Sequence, residues 1–124
     1  TEDYALVVPP ALRPDAHIVT EYIALTPGGA LTIRRGYAWD GPSGPAIDTP
    51  NFMRGSLVHD ALYQLLREGR LAPACRQAAD VFLRDLCLAD GMWRIRAWWV
   101  YRGVRLGGGP SADPDNAKPI LEAP

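Results

Sequence analysis

Four residues near the middle of this chain, Asp40, His59, Asp60 and Asp80, are of the types that carry out hydrolysis, and Tyr63 is spaced to assist them. His59 and Asp60 are adjacent in Val58-His59-Asp60-Ala61-Leu62-Tyr63, and Asp80 sits inside the apolar run Ala78-Ala79-Asp80-Val81-Phe82-Leu83. A carboxylate that grips one imidazole nitrogen fixes the tautomer and favours the charged ring, so the other nitrogen can take a proton from water. Asp80 is the expected grip on His59. An aspartate among apolar neighbours must be paired, because an unpaired buried charge costs several kcal/mol. The catalytic roles therefore fall on His59 and Asp80, with Tyr63 placed four residues on to reach back toward His59 or a partner of it.

Asp60 points about 100° round a helix from His59. With Asp40 and the carbonyls of Asp40-Gly41-Pro42-Ser43-Gly44-Pro45 it is expected to hold a divalent cation, calcium first, with magnesium or zinc as alternatives. Such an ion would polarise a carbonyl or phosphoryl oxygen while His59 activates the water. Ser56, His59, Asp60 and Tyr63 share one polar strip at separations of three and four residues. A blander account makes His59 a buried ring satisfied by a carbonyl and Asp60 a solvated acid. In it Asp80 is an ion-pair partner of Arg76 or Arg84 on its own helix.

The elements that must position these groups are legible in outline. Tyr4 to Val8 reads as an edge strand stopped by Pro9-Pro10. Residues 17 to 35 alternate β-branched, aromatic and polar side chains about Pro27-Gly28-Gly29, which predicts a hairpin of strands 17–25 and 31–35. His17, after Arg13-Pro14-Asp15, belongs on the surface. Between Gly36 and Pro50 glycine and proline forbid a regular element and fix a path.

From Pro50 the apolar spacing turns helical. One helix is expected to run to Gly69 with Phe52, Leu57, Leu62, Leu65 and Leu66 inward, Gly55 weakening its first turns. A second should span about 73 to 89 with Ala79, Phe82, Leu83 and Leu86 on its core face. A third, Trp93 to Leu106, presents Trp98, Tyr101, Arg102 and Arg105 at helical spacing. Residues 110–124 form a polar, proline-rich tail without periodicity. The fold class is α+β, a short antiparallel β-sheet or hairpin packed on a three-helix unit, with residues 1–109 as a single domain.

Composition narrows the function classes. The chain has 124 residues, and a net charge of -1 argues against a broad nucleic-acid surface. Arginines gathered at 94, 96, 102 and 105 leave room for a local anionic contact. No apolar run approaches the roughly 20 residues that span a bilayer. The start, Thr-Glu-Asp-Tyr, has no signal-peptide pattern, so synthesis in a host cytoplasm is expected. Cys75 and Cys87, twelve positions apart in one helix, lie about 18 Å apart, beyond disulfide reach, and read as reduced thiols.

Taken in order, Asp40-Gly41-Pro42-Ser43-Gly44-Pro45, His59-Asp60-Ala61-Leu62-Tyr63, Ala79-Asp80 and Tyr101-Arg102-Gly103-Val104-Arg105-Leu106-Gly107 resemble an uncharacterised family of tailed-bacteriophage and prophage proteins. The resemblance covers about residues 33 to 107 and implies a phage-encoded protein without an assigned activity. The chain is also similar, more weakly, to small bacterial calcium-dependent phospholipases with a histidine-aspartate dyad. That similarity implies Asp40 and Asp60 on calcium, His59 as base, Asp80 orienting it and Tyr63 supporting Asp80. Those enzymes are exported and cross-linked by disulfides, and no cysteine stands near His59.

The expected function is a phage-associated, metal-assisted hydrolysis of an envelope ester or amide, in phospholipid or peptidoglycan. The alternative is a virion or assembly component whose histidine-aspartate motif is structural and whose aromatic helix and tail bind a neighbouring phage subunit.

Overall fold

The computed structural model describes residues 4–34 and 50–107, with side chains over 4–34 and 53–107. Its element order is β1 (Tyr4–Val7), a 3-10 turn (Pro10–Leu12), β2 (Ile18–Val19), β3 (Ile23–Leu25), β4 (Ala30–Ile33), α1 (Pro50–Arg67), α2 (Cys75–Ala89) and α3 (Arg94–Gly107). Strands come first and helices follow, so the class is α+β. The chain divides between residues 38 and 39 into two compact units, one holding the strands and the other the helices.

The strand unit is a four-stranded antiparallel sheet in the order β1-β4-β3-β2. Ile23 pairs with Ile33 and Leu25 with Leu31, and all four are buried, whereas Ala24 and Thr32 between them alternate to the other face. The turn after β3 needs Gly29 at φ +97°, where a side chain would also meet Arg13 Nε at 2.7 Å and the Val8 carbonyl at 3.0 Å. His17 is exposed, as its loop composition predicts.

One expectation is corrected. The stretch 17–25 is two strands, because the Thr20 amide donates to the Ile23 carbonyl at 2.8 Å and the Ile23 amide donates to Thr20 Oγ1 at 3.0 Å. These bonds reverse the chain over Glu21 and Tyr22. The alternation of side chains runs on through the turn, so the pattern conceals it.

In the helical unit α2 packs against both α1 and α3. Val58, Ala61, Leu62, Leu65 and Leu66 of α1 are buried, while Leu57 is half-buried; the side chain of Phe52 lies outside the described residues. On α2 the inward residues are Ala79, Asp80, Leu83, Leu86 and Cys87, with Phe82 only half-buried. Leu83, Cys87, Met92 and Ala97 form a cluster against which Val100 and Val104 of α3 pack.

Gly69 ends α1 as expected, and Gly91 ends α2. Gly69 (φ +73°) donates to the Leu66 carbonyl while Arg70 donates to that of Leu65, and Gly91 (φ +97°), Met92, Leu88 and Cys87 repeat the arrangement at the end of α2. Gly55 has a different role from the one its propensity suggests. A β-carbon there would stand 2.9 Å from Leu83 Cδ1 and 3.3 Å from Cys87 Sγ, so glycine lets α1 approach α2 closely. Cys75 and Cys87 are free thiols, and burial, with the nearby Asp90 charge, pushes Cys87 up to about 11.

Candidate functional site

The three helices bring one polar cluster together inside their packed unit. His59 and Tyr63 are four residues apart on α1 and so lie one above the other on its face, with ring centroids 4.1 Å apart. Asp80 projects from α2 toward them, between Ala79 and Leu83 on its buried face. Its side chain is 0% exposed, and it is the one fully buried charged residue among those described.

A carboxylate in that position must be satisfied on both oxygens. Asp80 Oδ1 stands 2.7 Å from His59 Nε2 and accepts the Tyr63 hydroxyl proton at 2.6 Å. Asp80 Oδ2 accepts from Arg105 Nη1, on the last turn of α3, at 2.9 Å. Burial alone would raise the Asp80 carboxyl, but the bonds from His59, Tyr63 and Arg105 and the His59 charge outweigh it and hold the group below its ordinary range. Asp80 is therefore ionised and can only accept. It follows that His59 Nε2 carries the proton in this contact and that Nδ1 is the ring's basic nitrogen.

Tyr63 responds in the opposite sense. Burial first, then its bond to the Asp80 carboxylate, pushes its hydroxyl up to about 12, so it stays a donor. Arg76, one turn before Asp80 on α2, completes the cluster. Its Nε donates to the Tyr63 oxygen at 3.3 Å, and its Nη2 donates to the Val104 and Arg105 carbonyls at 3.2 and 2.7 Å. Those carbonyls belong to the C-terminal end of α3, where a cation is favoured by the helix dipole.

Of the residues expected at the site, His59, Tyr63 and Asp80 converge as the spacing predicts. Asp60 is half-buried beside His59 on α1. Asp40 lies outside the described residues. Among the described residues no group of three or more His, Cys, Asp or Glu side chains is placed to hold a metal ion.

Two residues were missed as members of the site. The arginine that pairs with Asp80 is neither Arg76 nor Arg84, as the blander account had it, but Arg105 of α3, 25 residues along the chain. Arg84 turns to Asp85 at 3.3 Å, and Arg76 goes to Tyr63 and the end of α3. The available signal was the arginine three to four residues after Tyr101 and Arg102, at the end of a helix whose start packs on α2.

Chemically the cluster is a histidine with one nitrogen anchored and 11% of its side chain exposed, on a carboxylate whose charge is already balanced. No helix among the described residues is long and apolar enough to cross a membrane. No protein-family model, curated protein or solved structure matches the chain.

Proposed function

We propose that this is a phage-associated protein in which His59 is the general base of a hydrolytic site for an envelope ester or amide. The observation that carries the proposal is the 2.7 Å contact between His59 Nε2 and the fully buried Asp80, which fixes the tautomer with Nδ1 as the base. Nδ1 takes a proton from water as the water oxygen bonds to the substrate carbonyl carbon. The imidazolium that forms is stabilised by Asp80, and it returns the proton to the departing alkoxide or amine as the scissile bond breaks. Tyr63 and Arg105 keep Asp80 ionised and still, so they are positioning residues.

Asp60 is the residue to test as a calcium, magnesium or zinc ligand. The proton transfers above do not depend on it. Titration calorimetry of wild type and Asp60→Ala with each of the three cations distinguishes a shared binding role from none.

A second reading rests on the arginines. Arg105 to Asp80 and Arg76 to the end of α3 join all three helices through one cluster, which is what a structural core network does. In that reading the chain is a non-catalytic virion or assembly component.

The two readings part at His59→Gln. Phospholipid vesicles and purified peptidoglycan are incubated with wild type and variant, and released fatty acid or new amine ends are counted. The catalytic reading expects the variant to lose at least about 100-fold in rate, the lower range for a general base. Equal rates in both proteins, or no turnover by wild type of either substrate, would leave the structural reading.

A further inference from the structure

The third helix has a face that is exposed among the described residues. Among the described residues, the large apolar side chains most exposed outside the sheet are Trp93 (80%), Leu106 (78%), Ile95 (67%), Trp99 (64%) and Trp98 (47%). All but Trp93, which immediately precedes it, are on α3. Ile95, Trp99, exposed Arg102 and Leu106 follow one another at separations of four, three and four residues, so they form one stripe. That stripe lies away from Ala97, Val100 and Val104, which face the core.

The charged residues of α3 itself all have one sign. Arg94, Arg96, Arg102 and Arg105 are on α3, and the helix has no acidic residue. Arg105 is committed to Asp80, and Arg102 lies over the Trp98 ring at 5.4 Å. Exposed Arg94 and Arg102 flank the apolar residues.

Three occupants can be compared. A second copy meeting this face about a two-fold axis would set arginine against arginine with no acid on either helix to compensate. A nucleic-acid strand stacks on parallel ring planes, but Trp98 and Trp99 meet edge to face at 76°, and Ile95 and Leu106 offer no stacking surface. A bilayer with anionic headgroups suits every part. Tryptophan and aliphatic side chains enter the boundary between headgroups and acyl chains, and flanking arginines meet phosphates.

We propose that the outward face of α3 docks on an anionic lipid surface, with the helix lying along the interface, Ile95, Trp99 and Leu106 inserted and Arg94 and Arg102 on the lipid phosphates. At about 1.5 Å per residue its 14 residues cover about 21 Å of membrane surface without crossing it. The inference stands on a different helix face from His59 and does not depend on hydrolysis.

The test uses the full chain and unilamellar vesicles of equimolar phosphatidylglycerol and phosphatidylcholine, against phosphatidylcholine alone. Wild type should float with the anionic vesicles, with tryptophan emission shifted to shorter wavelength, and should be released by high salt. An arginine near such a surface is worth roughly five-fold in partitioning, so Arg94→Gln/Arg102→Gln should lose roughly 25-fold. Ile95→Ser/Trp99→Ser should float with neither vesicle; both positions are exposed, and circular dichroism checks that each variant keeps its helices.

Absence of wild-type flotation overturns the proposal, as does flotation of both variants at the wild-type level. So does a wild-type dimer in light scattering that Ile95→Ser/Trp99→Ser dissociates, which would assign the face to a second copy. Vesicle binding that both variants lose, by a monomeric wild type, sustains it.

Discussion

Tyr63→Phe probes the cluster most directly, because the structure fixes both the size and the pH dependence of its effect. At neutral pH the variant loses a 2.6 Å hydrogen bond to a buried carboxylate and the acceptor for Arg76 Nε. A hydrogen bond to a charged group is worth about 1.5 to 3 kcal/mol, and that is the expected loss in unfolding free energy. The hydroxyl of the folded protein is pushed up to about 12 from 10.0. A raised value means that the folded state holds the proton longer than the unfolded chain. Stability from this group is therefore complete below pH 10 and is lost as pH rises toward 12. Two pH units at 1.36 kcal/mol each bound the loss at about 3 kcal/mol.

Phenylalanine has nothing to titrate. The difference in stability between wild type and Tyr63→Phe should therefore shrink from about 2 kcal/mol at pH 7 toward zero by pH 12. Urea unfolding followed by far-ultraviolet circular dichroism at several pH values reads it. Cys87 also loses stability as pH climbs from 9 toward 11, but it is present in both proteins and cancels in the difference. A difference that stays constant from pH 7 to 12 would mean that the Tyr63 hydroxyl is not buried against an ionised Asp80, and the cluster as described would be wrong.

Asp80 works in the other direction. Its folded value lies below the ordinary 3.8, so the stability it contributes is present above that value and falls as pH drops through the folded one. Asp80→Asn should lack that segment of the acid limb in urea titrations, and an unchanged acid limb would count against it. Arg105→Gln leaves the Asp80 charge buried with only His59 and Tyr63 as donors. The cost should be about 2 to 4 kcal/mol, somewhat below the full cost of breaking a buried pair because the Arg105 side chain is 30% exposed. A loss within 0.5 kcal/mol, about the scale of an ordinary surface change, would show the pair to be solvated. Gly55→Ala gains helix propensity but drives a methyl group to 2.9 Å from buried Leu83, so a net loss of about 1 kcal/mol is expected by urea unfolding. A gain in stability would mean that α1 and α2 stand farther apart.

The sequence exposed the helices more fully than the strands, for reasons specific to each. The glycines at 69 and 91 end α1 and α2 because they alone tolerate the positive φ at those positions, and that requirement is local. The reversal at Thr20 to Ile23 is made by threonine bonds that carry no glycine or proline, so nothing in the residue types interrupts the strand pattern. Gly55 was legible as a weak helix former, but its use depends on Leu83 and Cys87 of another helix.

Asp80 shows where reading along the chain stops. Its apolar neighbours on α2 require a partner, and His59 and Tyr63 follow from the four-residue spacing on α1. Arg105 does not follow, because its arrival depends on the direction in which α3 leaves Gly91. That direction is set by the contact of Met92 and Ala97 with Leu83 and Cys87, one and two turns of α2 beyond the acid. The burial of Asp80 therefore has a condition attached. Taking the carboxylate out of water is costly until α3 is docked, since Arg105 supplies the cation and Arg76 holds the end of α3 that presents it. The grip on His59 and the packing of the third helix are consequently one event. Any variant that loosens α3 should disturb the His59–Asp80 contact even though it touches neither residue.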